Sequence, residues 1–296
     1  MTTTTADERL SAPLRAILCM VAGIALLTFN DAFMKWVATD YPVGQTLFMR
    51  GLFAYVPIFI LIYRAGGLSE LRVNSVGGQV LRAVITVTST FSFIYGLTLM
   101  PFADAIAIAL SSPLIVTALA ALVLKEPVGW RRWMGVLIGF VGVLIMVRPG
   151  GEAVKWVALF PLAGVIGGAL RDVLTRRMTQ SETSVSMLFY TVSAVTFIGL
   201  LTLPFGWITP QPMDILYLAL AGFMLGGAQF FLIETFRYAP ISVVAPFKYT
   251  NMLWAVVIGY FVWGELPDVW VISGASLVII SGLYVLNREA RLKKKT

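Results

Sequence analysis

The 296-residue chain is 58% hydrophobic and only 12% charged, with a mean hydropathy of +0.86, so it lacks the polar surface that a soluble domain needs to cover its core. Its net charge of +7 lies between apolar runs, not interleaved with aromatics in a polar domain, which argues against nucleic acid as a partner and for a lipid bilayer. A single cysteine, Cys19, and the absence of histidine exclude an intrachain disulfide, a Cys-rich metal site and the commonest proton shuttle.

The opening MTTTTADERLSAPLR is polar and runs into apolar sequence without a small-residue cleavage site, so no cleaved leader is expected. About 20 apolar residues make a helix long enough to cross a bilayer, and ten stretches qualify: 14–36, 43–63, 76–99, 102–124, 131–147, 156–178, 184–204, 214–236, 241–262 and 268–286. Pro42, Gly66-Gly67, Pro101, Pro127, Pro149-Gly150, Pro210, Pro240 and Pro267 punctuate the short connections. The expected fold is therefore an all-α integral membrane bundle of ten helices.

Charge orients the bundle. With the N-terminus inside, Arg9, Arg15, Arg64, Arg72, Lys125, Arg131, Arg132, Arg176, Arg177, Arg237 and the basic tail Arg288 to Lys295 share one side, against little more than Arg148 and Lys155. Both termini are then expected in the cytoplasm.

The halves of the chain repeat. A shift of 139 residues superposes Pro101 on Pro240, Leu114 on Leu253, Glu126 on Glu265 and Gly135 on Gly274, so that FADAIAIALSSPLIV lies over ISVVAPFKYTNMLWA. A shift of 141 superposes Gly23 on Gly164, Asp31 on Asp172, Leu47 on Leu188 and Phe48 on Phe189. Two repeats, 1–150 and 151–296, each hold five spans, and an odd number inverts the second copy. Inverted repeats are a transporter architecture with the site near the midplane.

The repeat unit has a Pro before one span, SSPL or TNML within it, LKEP or WGEL closing it, and a Gly-rich last span, GVLIGFVGVLIMV. It resembles the EamA-like repeat of the drug/metabolite transporter superfamily. Within that superfamily the chain is similar to the YddG-type bacterial exporters of aromatic amino acids. The resemblance implies ten helices in two inverted halves around a central cavity, in a bacterial inner membrane. It also implies export by alternating access in a functional monomer. Export of other metabolites or cationic drugs, or a channel-like facilitator, is the alternative.

Lys248 lies inside the apolar stretch 243–263. A mid-membrane charge costs roughly 2.5–3.5 kcal/mol on insertion scales, so it belongs on a wet cavity or beside a partner. Lys248 is expected to bind a substrate carboxylate, to pair with an acid such as Glu234 or Asp172, or to snorkel to the interface. Helical spacing puts Asn251 and Met252 on its face. The repeat puts Ala109, Ser112, Pro113 and Val116 on the matching face of the fourth span. Asn30-Asp31 and Arg171-Asp172 occupy corresponding places in the two halves and are expected on opposite sides of the bundle, with Arg171 and Asp172 serving packing or topology. Arg50 is expected to meet an anion or to pair with Asp31, and Arg82 to snorkel to the interface. Proton coupling would need a buried acid, for which Asp31, Asp104, Asp172 and Glu234 are the candidates. Phe91, Phe93, Tyr95, Tyr190, Tyr249 and Trp254 are candidates to stack on a flat substrate group. Gly164 with Gly168 reads as a close helix contact, and Gly222 with Gly226 as a point of rocking.

No P-loop, H-E-x-x-H or G-x-G-x-x-G motif occurs, and no Ser-His-Asp triad can form. The chain is not expected to be an enzyme, or to need a cofactor or metal.

Overall fold

A run of apolar residues becomes a membrane helix when hydrocarbon leaves its backbone no other partner, and the chain is helical throughout its described parts. The computed structural model describes residues 6–123, 130–147, 156–244, 247–248, 250–264, 268–270, 272–277 and 279–280. Helices α1 (Ala6–Ala38), α2 (Val43–Ala65) and α3 (Val76–Leu99) open the first half. Helices α4 (Phe102–Ala109), α5 (Ser112–Val123) and α6 (Trp130–Val147) complete it. The second half holds α7 (Leu159–Met178), α8 (Ser184–Leu200), α9 (Pro212–Tyr238), α10 (Ile241–Val244) and α11 (Thr250–Ile258), which ends in a π turn over Gly259–Trp263. Described residues between 269 and 280 are again helical.

Among the described residues four stretches are long and apolar enough to cross a membrane: Leu14–Ala38, Val43–Ala65, Val76–Leu99 and Pro212–Tyr238. Shorter apolar helices run over Ser112–Val123, Ser184–Leu200 and Thr250–Trp263. Leu52, Val56, Phe59, Phe140, Phe197 and Phe261 lie exposed on the outside of these helices, as a lipid-facing surface requires.

The stretches 102–124 and 241–262, expected as continuous spans, are broken. Between α4 and α5, Leu110 and Ser111 form a turn. The Ser111 carbonyl accepts from the Leu114 and Ile115 amides at 3.1 and 3.0 Å, and its hydroxyl donates to the Ile108 carbonyl at 2.7 Å. Pro113, second in α5, has no amide proton to continue the ladder of α4. Between α10 and α11, Phe247 and Lys248 make a short 3-10 turn, and the Thr250 hydroxyl donates to the Phe247 carbonyl at 2.7 Å. The two breaks fall at repeat-related positions.

Packing crosses between the halves. Helix α1 lies along α9, α3 along α7, and α2 against both α8 and α9. Arg82 of α3, 1% exposed, does not snorkel as expected. Its Nε donates to Thr175 Oγ1 at 2.9 Å and its Nη1 to the Met187 carbonyl at 2.7 Å, with Thr191 a further partner. At this end of the bundle the buried Glu182 accepts from the Asn74 and Ser75 amides at 2.9 and 2.6 Å. Arg237 donates to the Glu182 carbonyl at 3.0 Å. At the opposite end Gln45 exchanges two hydrogen bonds with the Ile208 backbone, at 2.5 and 2.9 Å. There Tyr41 donates to Asp214 at 2.7 Å, and that bond to a carboxylate holds the Tyr41 phenol above its ordinary pKa.

Gly222 and Gly226, expected as points of rocking, instead let α9 seat on α2. A Cβ at Gly222 would fall 2.3 Å from the Arg50 carbonyl oxygen, and one at Gly226 would fall 2.5 Å from Pro57 Cγ. The first obstacle is backbone, which cannot swing aside. Gly222→Val is therefore expected to cost about 1–3 kcal/mol. It should lower the melting temperature in detergent, whereas Gly227→Ala, whose nearest neighbour is Leu26 Cδ1 at 3.4 Å, should melt as the wild type does. Equal melting of all three proteins would refute the close α2–α9 seating.

Candidate functional site

Both helix breaks open on one cavity of about 170 Å³, far beyond the water-sized voids of a packed interior. Ala109 and Ser112 reach it from the first break, Lys248 and Asn251 from the second. These are the repeat-related pairs of the sequence. Pro113 and Val116, expected on the same face, are buried in packing instead.

Two charged clusters line the cavity. In the first, Asp172 of α7 is 5% exposed and takes Arg171 Nη2 at 3.0 Å and Nε at 3.2 Å. The Lys248 ammonium closes on the other carboxylate oxygen and lies 3.2 Å from the Ser112 hydroxyl. Asp172, one of the two partners expected for Lys248, is thus the one it meets, and the pair sits on the cavity wall. In the second cluster Asn30 stands between Arg50 and Asp31. Its Nδ2 donates to Asp31 Oδ1 at 2.9 Å, and its Oδ1 accepts from Arg50 Nη1 at 3.3 Å. The direct Arg50–Asp31 pair of the sequence reading is thus replaced by a relay through an amide. Arg50 is 3% exposed, and its Nε has no hydrogen-bond partner.

Asn30-Asp31 and Arg171-Asp172, expected on opposite sides of the bundle, face the same cavity. Helices α1 and α7 meet it from the two halves, so the repeat operation converges there. Asn251 is held by Thr28 of α1, whose hydroxyl donates to its Oδ1 at 2.5 Å.

Several candidates lie elsewhere. Glu234 accepts from Ser184 and pairs with Arg237 at 3.4 Å, in the polar cluster at the end of the bundle. Tyr190 donates to the Leu71 carbonyl at 3.1 Å, at that same end. Tyr95 is 44% exposed and meets Phe160 edge-on at 4.9 Å. Phe91 and Trp254 pack against the apolar core, Trp254 tilted over Phe29 at 6.2 Å. Tyr249 lies outside the described residues. Of the five described aromatics singled out, Phe93 is the one on the cavity wall. Ser89, Thr90 and Gln229, which the sequence reading did not single out, also line it. A signal existed: Gln79, Arg82, Thr86 and Ser89 form one polar stripe at three- to four-residue spacing along α3, and Phe93 continues it. Among the described residues no three His, Cys, Asp or Glu side chains gather as metal ligands.

A helical membrane bundle in which two broken helices and two ionic clusters converge on one cavity is a small-molecule transporter, not an enzyme. The chain belongs to the EamA-like transporter family, whose model matches residues 14–148 and again 155–288. It is 25% identical to an S-adenosylmethionine uptake transporter of Rickettsia prowazekii, over 96% of this chain and 97% of that protein. It is 26% identical to a riboflavin transporter of Rhizobium johnstonii, over 99% and 97%, and 26% identical to one of Vibrio cholerae, over 96% of both. A solved crystal structure shares the fold with a TM-score of 0.70 at 17% identity, over 94% of this chain and 98% of that one.

The ionic cluster has a consequence for stability. Asp172→Asn leaves Arg171 and Lys248 buried beside each other without a carboxylate, a loss of about 3 kcal/mol, the low end for breaking a buried pair because the cavity side admits water. The melting temperature in detergent should fall by several degrees and recover in the double variant Asp172→Asn, Lys248→Met. A single variant as stable as the wild type would show that the pair holds nothing together.

Proposed function

We propose that the protein carries a small metabolite bearing a carboxylate beside a flat apolar group, and that it works by alternating access of the central cavity to the two sides of a bacterial inner membrane. The charge on the cavity wall carries this reading. Three cations, Arg50, Arg171 and Lys248, face two carboxylates, Asp31 and Asp172, and a bound carboxylate would take up the surplus positive charge. Phe93, Ile94, Ile24 and Leu27 supply apolar wall beside them, the mix of apolar lining and few polar groups expected of a ligand site.

Export of aromatic amino acids is the reading favoured within this class. A zwitterion is neutral overall and presents its carboxylate to the Lys248–Arg171 cluster. S-adenosylmethionine has the same amino-acid head on a larger ring system, but carries its own net positive charge into a positive cavity. It is the second reading, and the Rickettsia relatives support it. Riboflavin, named for other relatives, has a flat ring system and no carboxylate.

The transport reading includes ten spans in two inverted five-helix repeats, 1–150 and 151–296, with both termini in the cytoplasm and the monomer as the working unit. The ends of the described helices support it. The α2–α3 and α7–α8 connections meet at one end, while Gln45 and Ile208 meet at the other, so α1 and α7 run in opposite directions.

Purified protein in liposomes, offered labelled tryptophan, phenylalanine, S-adenosylmethionine and riboflavin, tests the assignment. Flux of tryptophan and phenylalanine is expected, and flux of riboflavin alone would overturn the carboxylate reading. Lys248→Ala should fold, since Asp172 keeps Arg171. It should weaken affinity for tryptophan about tenfold to a hundredfold, the worth of one charge-assisted hydrogen bond of roughly 1.5–3 kcal/mol. Tryptamine, which lacks the carboxylate, should lose little. Equal losses for both would take Lys248 out of the binding site.

A further inference from the structure

Helix α7 carries three glycines in its middle, Gly164, Gly167 and Gly168, and the structure separates them. A Cβ at Gly164 would fall 2.6 Å from Phe93 Cβ and 2.9 Å from the Ser89 carbonyl oxygen, and one at Gly167 would fall 2.6 Å from Ser89 Cβ. These two seat α7 on α3. Gly168, which the sequence reading paired with Gly164 as a packing contact, meets nothing: a Cβ there has no atom within 4 Å.

A glycine inside a helix costs roughly 0.5–1 kcal/mol relative to alanine, and no close contact at Gly168 explains it. What lies over Gly168 is the cavity, which it lines together with Phe93 and Thr90 of α3. Arg171 and Asp172 follow it by three and four residues and so share its face of the helix. Arg50 lines the same cavity.

We infer that Gly168 is a specificity-determining residue. It supplies a stretch of bare backbone against which the flat group of a substrate lies when its carboxylate meets Lys248 and Arg171, and its missing side chain sets the largest ring the cavity accepts. Phe93 offers ring surface on the same wall. The inference rests on the carboxylate reading of the cavity given above and names what recognises the rest of the substrate. Gly164 and Gly167 are fixed by helix contact, so substrate size is tuned at Gly168 without disturbing the α3–α7 seat.

The test uses the full-length protein in liposomes, with Gly168→Ala and Gly168→Val compared with the wild type. Both variants should express and melt at or above the wild-type temperature, because each replaces a helix-interior glycine in open space. The KM for tryptophan should rise about tenfold or more in Gly168→Val, which adds three carbons where a single methylene already brings about tenfold discrimination to a pocket. Gly168→Ala should fall between, and alanine as the transported substrate should be spared. Separately, Gly168→Cys in a Cys19→Ser background should react with a small methanethiosulfonate reagent, and saturating tryptophan should slow that reaction. A wild-type KM for tryptophan in Gly168→Val, or a thiol that tryptophan does not protect, overturns the role of Gly168 alone. A wild-type protein that moves neither tryptophan nor S-adenosylmethionine overturns the carboxylate reading itself.

Discussion

The structure depends on one constraint: in a bilayer, charges and backbone groups must find partners inside the protein. Asp172 meets that constraint with Arg171 and Lys248, and in doing so it ties α7 to the break between α10 and α11. Once those charges are committed to the interior, the helix ends at both breaks have a polar environment to face. The cavity is then the place where interrupted helices are tolerated. A dry, wholly apolar centre would have left the open backbone around Ser111 and Phe247 without a polar neighbour.

The two halves share a fold but divide the chemistry. Asn30-Asp31 in α1 corresponds to Arg171-Asp172 in α7, and Ala109 at one break corresponds to Lys248 at the other. The family model matches each half in turn, in keeping with the paired breaks, and packing crosses between the halves, α1 with α9 and α3 with α7. The cavity is nonetheless electrically lopsided, with the second half holding the surplus cation and the first half a nearly neutral relay. A symmetric scaffold thus presents an asymmetric site, the asymmetry on which the proposed carboxylate reading rests.

Much of the scaffold was legible in the sequence because hydropathy over about 20 residues reports helix length directly. The limits of α2, α3 and α9 differ little from those read off the apolar runs. The breaks were not legible: Pro113 and Lys248 sit in stretches whose average hydropathy remains that of a span, and an average does not register a local turn. The site residues divide by the kind of evidence behind them. Intramembrane charges have few places to go, so Lys248 pointed to a wet cavity or an acid partner, while Asp172 read as packing or topology and Arg50 as meeting an anion or Asp31; all of them line the cavity. Aromatics have many, so Phe91 and Tyr95, chosen for residue type, lie on other faces of α3 than Phe93. The polar stripe along α3 carries the directional information that residue type lacks. Glu234 stands one turn from Arg237 and answers to the end of the bundle.

Arg82 bears on how the protein is made. It belongs to the first half, yet the partners to which its guanidinium donates, Thr175, Met187 and Thr191, belong to the second. A ribosome delivering the chain from the N-terminus places this guanidinium in the membrane well before α7 and α8 exist. Until they arrive, α3 must stay near the headgroups, where its arginine reaches water, or remain sheltered by the insertion machinery. Insertion of the third span and closure of the bundle are therefore coupled in time. The first repeat by itself is an unfinished object, whose most fully buried arginine waits for residues not yet translated.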